Sequence, residues 1–269
     1  MYKKAISFLS VFFLVGCSSG KKPHTIRIAA TTTPHAEILE HIKPDLAKQG
    51  IDLEVVVISD YNVPNRALAD GSVEANFFQH TPFLQAQIAE FHYPLAILTP
   101  VHIEPMGVYS KKIDNLKELR EGAVISIPND PTNEARALLL LQEQHLIVLK
   151  DPTNLKATIG DIVSNPHEFE FHEVDAALLP RTLEDVDVAV INTNFAMQAG
   201  LSPLKDALAL EGERSPFVNV IVVRDNELKD PDLQALKCIV TTDQMRAWII
   251  EKYRGSIIPE FSHAENCKR

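Results

Sequence analysis

The chain has 269 residues, 45% of them hydrophobic and 23% charged, a globular composition sufficient for one large domain or two ordinary ones. Its formal charge of -10, with no basic stripe, argues against a nucleic-acid partner. After the N-terminal segment, no apolar stretch is long enough to cross a bilayer as a helix.

At the N-terminus, Lys3 and Lys4 precede an apolar run from Ala5 to Val15 that is too short to span a membrane and ends in Leu14-Val15-Gly16-Cys17. This pattern resembles a bacterial lipobox, and the resemblance implies cleavage before Cys17 and acylation of that residue. Residues 1–16 are expected to be a lipoprotein signal peptide. Residues 17–24, including the polar Ser18-Ser19-Gly20-Lys21-Lys22-Pro23, are expected to be a lipidated tether. Such an anchor holds the protein at a cell membrane, facing the periplasm or the exterior. Two further cysteines, Cys238 and Cys267, remain. Export permits them to pair, but Cys267 stands in a polar tail, so two free thiols are the expectation.

The elements then alternate. Thr25 to Ala30 reads as a short β-branched strand, and Thr33-Pro34 as the cap and first position of a helix carrying Ile38, Leu39, Ile42 and Leu46 and closed by Gly50. Leu53 to Ser59 is a second strand. Pro64 to Asp70 is a short helix ended by Gly71, and Val73 to Phe78 is an apolar-aromatic stretch. Val124 to Ile127 is followed by a helix opened by Asp130-Pro131, with Asn133 as the other candidate cap. Phe169 to Val174, Asp187 to Ile191 and Val218 to Val223 are further strands. Short apolar strands between helices imply an α/β fold with mostly parallel sheets covered on both faces. Two such units suggest two lobes with a cleft between them, one formed by 25–107 plus 220–269 and the other by 108–219.

Ligands of open α/β sheets bind beyond the carboxyl ends of strands, and the informative polar residues fall there. Arg136, on the helix after Val124–Ile127, supplies a planar fork suited to a bidentate grip on a carboxylate. Asn192 and Asn219 flank strands and offer both a carbonyl and an amide to a zwitterion, with Asn194 as a competing choice. Tyr61, Phe78, His80 and Phe83 form an aromatic group suited to a polarizable thioether. If the stretch is extended, Phe77 and Phe78 face opposite ways, so only one of them can join that group.

Several segments resemble the NlpA-type methionine-binding lipoproteins. They are Ser59-Asp60-Tyr61-Asn62-Val63-Pro64-Asn65, Asn76-Phe77-Phe78-Gln79-His80-Thr81-Pro82-Phe83, Glu104-Pro105-Met106-Gly107 and Ile127-Pro128-Asn129-Asp130-Pro131-Thr132-Asn133-Glu134-Ala135-Arg136. Leu179-Pro180-Arg181, Val190-Ile191-Asn192-Thr193-Asn194 and Ser215-Pro216-Phe217-Val218-Asn219 complete the set, which runs from about Ile26 to Phe261. The resemblance implies a two-lobed, type II periplasmic-binding-protein fold. It also implies capture of methionine, or a close relative or methionyl dipeptide, for an ABC permease and its ATPase, without cofactor or catalysis. In such proteins the residues matching Arg136, Asn192 and Asn219 hold the zwitterionic end, and those matching Tyr61, Phe78, His80 and Phe83 shape the side-chain pocket. The family commonly has tyrosine where Phe83 stands and glycine where Ala135 stands, and the extra methyl is expected to narrow the approach to ligand.

The alternative class is an exported metal-binding lipoprotein, since there are ten histidines. Its densest candidate, His167 to Glu173, puts His167 and His172 on opposite faces of a strand, and His35 and His41 lie on opposite sides of a helix. An enzyme is disfavoured by the lack of a G-x-S-x-G elbow, Walker loop or dinucleotide fingerprint.

Overall fold

The computed structural model describes residues 24–212, 215–262 and 267; the expected signal peptide, Cys17 and the tether as far as Pro23 lie outside them. β1 (His24–Ala30) is followed by α1 (Glu37–Lys48), whose Ile38, Leu39, Ile42 and Leu46 are buried along one face at helical spacing. The start of α1 differs from expectation. Thr33 is extended (φ -129°, ψ 132°) and caps nothing. Its hydroxyl instead donates to Glu37 Oε1 at 2.7 Å, within an irregular turn over Thr32–Ala36 that buries His35. A hydroxyl engaged by a neighbouring carboxylate is lost to the helix as a cap.

β2 (Ile51–Val57), α2 (Pro64–Ala69), β3 (Ala75–His80), α3 (Thr81–Phe91) and β4 (Leu95–Ile103) follow. Gly71 takes the positive φ (82°) that ends α2. The chain then builds a second sheet from β5 (Gly107–Tyr109), β6 (Val124–Pro128), α4 (Pro131–Glu143), a small ribbon of β7 (Val148–Leu149) and β8 (Ile162–Ser164), and β9 (Glu170–Val174). It continues through α5 (Leu179–Thr182), β10 (Val188–Ile191), α6 (Thr193–Gln198), α7 (Pro203–Asp206) and β11 (Ala207–Leu210). β12 (Val218–Arg224), α8 (Pro231–Val240), α9 (Asp243–Tyr253) and β13 (Ile258–Pro259) return to the first sheet.

The first sheet has the order β13-β4-β12-β3-β1-β2 and the second β11-β5-β10-β6-β9. Each keeps a parallel group, β3-β1-β2 and β10-β6-β9, to which antiparallel strands are added where the chain changes sheets. Alternation along the strands covers both faces of each sheet. Ile28, Phe77, Ile221 and Val223 pack against α1, α8 and α9, while Ala29, Val220 and Val222 pack with Leu68 and Leu84 of α2 and α3. In the second sheet Ile125, Ile127, Val188 and Val190 meet Leu138 and Leu141 of α4, and Ala189 and Ile191 meet Leu179 and Phe195. Each fully buried aliphatic of this kind contributes roughly 1.5–3 kcal/mol. The result is the two-lobed α/β architecture expected from the sequence.

Cys238 and Cys267 are joined by a disulfide with Cα atoms 5.6 Å apart, contrary to the expectation of two free thiols. Phe261 is buried in the first core with the guanidinium of Arg246 4.4 Å over its ring, and Cys267 is held against α8 by its bond to Cys238.

Candidate functional site

The carboxyl ends of β3, β6 and β10 face one another across the join of the two sheets, and a small cavity lies between them. All seven residues singled out in the sequence, Tyr61, Phe78, His80, Phe83, Arg136, Asn192 and Asn219, line it. So do Asn194, the competing choice, and Gln79, Glu104, Asn133 and Thr193, which sequence reasoning did not assign to the site. Ala135 does not face it. Its methyl is fully buried in the second core, so it packs behind α4 instead of narrowing the cavity.

One end is aromatic. Tyr61, from the loop after β2, stands 5.9 Å from both Phe78 and Phe83, and those two rings meet edge to face at 5.8 Å. Phe77 points the other way, into the first core. A buried amide network of Asn65, Asn76 and Gln79 fixes the end of β3 from which Phe78 and His80 project.

The other end is polar, and its hydrogen bonds determine which atoms stay open. His80 Nδ1 accepts from the Phe83 N–H at 3.1 Å, so Nε2 carries the proton and donates to Asn133 Oδ1 at 3.2 Å. Asn133 Nδ2 donates to Asp130, the residue that caps α4, and Asn192 Nδ2 donates to Asn133 Oδ1 at 2.8 Å. Asn192 Oδ1 is left buried without a partner. Across the cleft, Tyr61 Oη donates to Asn194 Oδ1 at 2.6 Å, which leaves Asn194 Nδ2 buried without a partner. Asn219 Oδ1 accepts from His35 Nε2 at 3.1 Å, so its amide group is the donor that remains. Unsatisfied buried polar atoms are uncommon and costly. Here an orphaned acceptor and an orphaned donor line the same small space.

Arg136 is placed as expected but held differently. Nε lies 3.1 and 3.2 Å from the two carboxylate oxygens of Glu211, and Nη2 donates to Glu211 Oε2 at 2.5 Å and to the Glu104 carbonyl at 2.7 Å. The guanidinium also lies 4.4 Å over the Phe217 ring. The bidentate face is therefore occupied by Glu211, and only Nη1 is left for a ligand. Glu211 Oε2 in turn accepts from the Met106 N–H, and the Glu211 N–H donates to the Met106 carbonyl at 2.8 Å. Arg136 thus ties together both segments that cross between the sheets.

Residues 26–261 match the NlpA lipoprotein family. The chain belongs to that family. It is 40% identical over 254 residues to a probable D-methionine-binding lipoprotein, MetQ, of Vibrio cholerae, covering 93% of each chain. It is 42% identical over 219 residues to the D-methionine-binding lipoprotein MetQ of Escherichia coli K12, covering 79% of this chain and 80% of that one. A nutrient-binding protein from Burkholderia cenocepacia, solved bound to methionine, superposes with a TM-score of 0.85 at 41% identity, covering 88% of this chain and all of that one.

Behind the polar end of this NlpA lipoprotein lies a group that sequence reasoning missed. Glu104 Oε1 accepts from His102 Nε2 at 2.8 Å and lies 3.1 Å from His35 Nε2, while the Thr31 hydroxyl, 2.6 Å away, donates to His35 Nδ1. Burial lowers the pKa of His35 to about 4 and those of His102 and His80 to about 3, so all three are neutral near pH 7. Burial raises Glu104, opposed by His35 and Arg136. His35, His102 and Glu104 come from the turn after β1, the end of β4 and the link to β5, a convergence that no local spacing announces. His41 instead stacks on Trp248 at 4.1 Å, and His167 on Phe169.

Proposed function

We propose that this NlpA lipoprotein captures methionine outside the cytoplasm and delivers it to the permease and ATPase of an ABC importer. The observation that carries the reading is the division of one small cavity into an aromatic end and an end with an orphaned acceptor and an orphaned donor. A thioether suits the first, with sulfur-aromatic contacts of about 0.3–1.5 kcal/mol each. The zwitterion suits the second: the carboxylate reaches Arg136 Nη1 and the amides of Asn194 and Asn219, and the ammonium reaches Asn192 Oδ1. Tyr61, Phe78, His80 and Phe83 surround the side chain. The role is binding and not catalysis, since both ring nitrogens of His80 and His35 are engaged and neither is free to move a proton. The names of the relatives support the same ligand.

The lobes are read as one unit on each sheet. On that reading the boundaries expected at 107/108 and 219/220 are each displaced by a residue or two, since Gly107 pairs in the second sheet and Val218 and Asn219 pair in the first. Cys17 is read as the acylated residue that holds the protein at the membrane surface. Among the described residues no helix is long and apolar enough to cross a membrane.

Titration calorimetry against methionine, norleucine and glutamine tests the reading. Norleucine keeps the length and loses the sulfur, and should bind more weakly by about 0.5–2 kcal/mol. Glutamine would bury an amide with few partners and should bind far worse. Glutamine binding as tightly as methionine would show the ligand to be wrong.

A further inference from the structure

Among the described residues that line the cavity, Arg136 is the one that carries a positive charge near pH 7, since His80 is neutral there. A guanidinium has five N–H donors. Glu211 engages Nε and Nη2, the Glu104 carbonyl engages Nη2 as well, and Nη1 remains. The grip comes from behind. Glu211 does not line the cavity; it borders a separate surface groove with Leu140, Pro216 and Phe217, so a ligand in the cavity meets the guanidinium and not its partner. Glu211 is itself tied down, because Oε2 accepts from the Met106 N–H at 3.3 Å and its own N–H donates to the Met106 carbonyl at 2.8 Å. The Phe217 ring, 4.4 Å from the guanidinium carbon, covers one face of the group.

We propose that Glu211 sets how strongly the site prefers a free carboxylate, by fixing the direction of Nη1 while offsetting the charge behind it. The inference rests on the methionine reading above, in which the ligand's carboxylate meets Nη1, and deepens it. Glu211 is a positioning residue that determines specificity without touching the ligand. An uncompensated guanidinium in a site closed to water would hold a carboxylate far more tightly than a neutral group of the same shape. A guanidinium already matched by a carboxylate acts chiefly as a directional hydrogen-bond donor. The substrate class is therefore α-amino compounds whose acid end is recognised by hydrogen bonds more than by net charge. A carrier that must give up its ligand gains from this, since a fully charged grip would slow release.

Methioninamide replaces the carboxylate with a neutral amide of nearly the same size. At about pH 6.5, where the α-amino groups of both ligands are protonated, the two can be compared directly by calorimetry. The unaltered protein should prefer methionine to methioninamide by less than about a hundredfold, and a larger preference overturns the proposal. Glu211→Gln keeps the shape and a carbonyl for the guanidinium but removes the charge. It should raise that preference at least about fivefold, by tightening methionine, and should slow methionine release in stopped-flow. A purely structural part for Glu211 would weaken both ligands alike and leave the preference unchanged, and a loosened Arg136 would lower it; either result overturns the proposal. If the variant does not fold, the preference of the unaltered protein decides alone. An unaltered protein that binds no methionine defeats the methionine reading and this proposal with it, whereas tight methionine binding with an unchanged preference in the variant defeats only the role of Glu211.

Discussion

A ligand clamp on a surface loop could be removed without cost to the fold, but Arg136 is not of that kind. It is 3% exposed and its partner Glu211 13%, and the pair is joined by three contacts of 2.5–3.2 Å. Arg136→Met would leave Glu211 buried without its cation and the Glu104 carbonyl without its donor. Breaking a buried pair from one side costs about 3–5 kcal/mol, most of it the stranded charge. Glu211→Gln keeps a carbonyl for the guanidinium and should cost less, about 1–3 kcal/mol. The double variant strands no charge, so its cost should fall short of the sum by at least about 1–2 kcal/mol. Urea unfolding of the ligand-free protein and its two single and one double variants measures this directly. If the single costs simply add, within about 0.5 kcal/mol, then Arg136 and Glu211 do not act as a unit and the account of the crossing segments fails.

Tyr61→Phe removes the donor that joins the lobes at Asn194, and should speed methionine release about 5- to 30-fold while costing the unliganded fold about 1 kcal/mol; stopped-flow release at an unchanged rate would refute a closing role. Burial depresses His35, His80 and His102 to about 4, 3 and 3, so the unfolded chain takes up protons near pH 6.5 before the folded one does. The stability they contribute is complete above that pH and is lost as the pH falls, at up to about 1.4 kcal/mol per unit for each residue, softened by the raised carboxyls of Glu104 and Asp130. Tm should therefore be lower at pH 5.5 than at pH 7.5, and an equal or higher value would contradict the neutral burial of these rings. Cys238→Ser opens a link spanning 29 residues and should cost up to about 3.6 kcal/mol, read from urea unfolding beside the reduced wild type; no change would mean that the link leaves stability untouched.

Much of the first lobe was legible because its signals are local. The i, i+3, i+4 spacing of Ile38, Leu39 and Ile42 gave α1, and opposite facing along β3 separated Phe78 from Phe77. Asp130 as the cap of α4 was legible as one of two candidates. What escaped depends on contacts between distant segments. β4 carries buried residues on both faces with one proline and two polar residues interleaved, so its run from Leu95 to Ile103 shows neither period clearly. Asn133 was visible only as a possible cap, because its work in the site is to accept from His80 and Asn192, on two other elements. Glu211 is an unremarkable loop carboxylate until Arg136 reaches it. His35 gave no warning either, since its burial follows from the irregular turn at Thr32–Ala36 where a regular helix start was expected.

The position of β12 has a consequence for the order in which the protein can be assembled. It lies between β3 and β4 in space but follows the entire second sheet in sequence. A chain emerging N-terminus first therefore holds an unfilled slot in its first sheet, with strand edges bare on both sides, until the second lobe has been made. Closing that slot is a long-range event and is expected to be slow. The newly made chain is thus most exposed to pairing with other chains while it waits for a single strand, and a substitution that weakens β12 should lower the yield of folded protein more than it lowers the stability of what does fold.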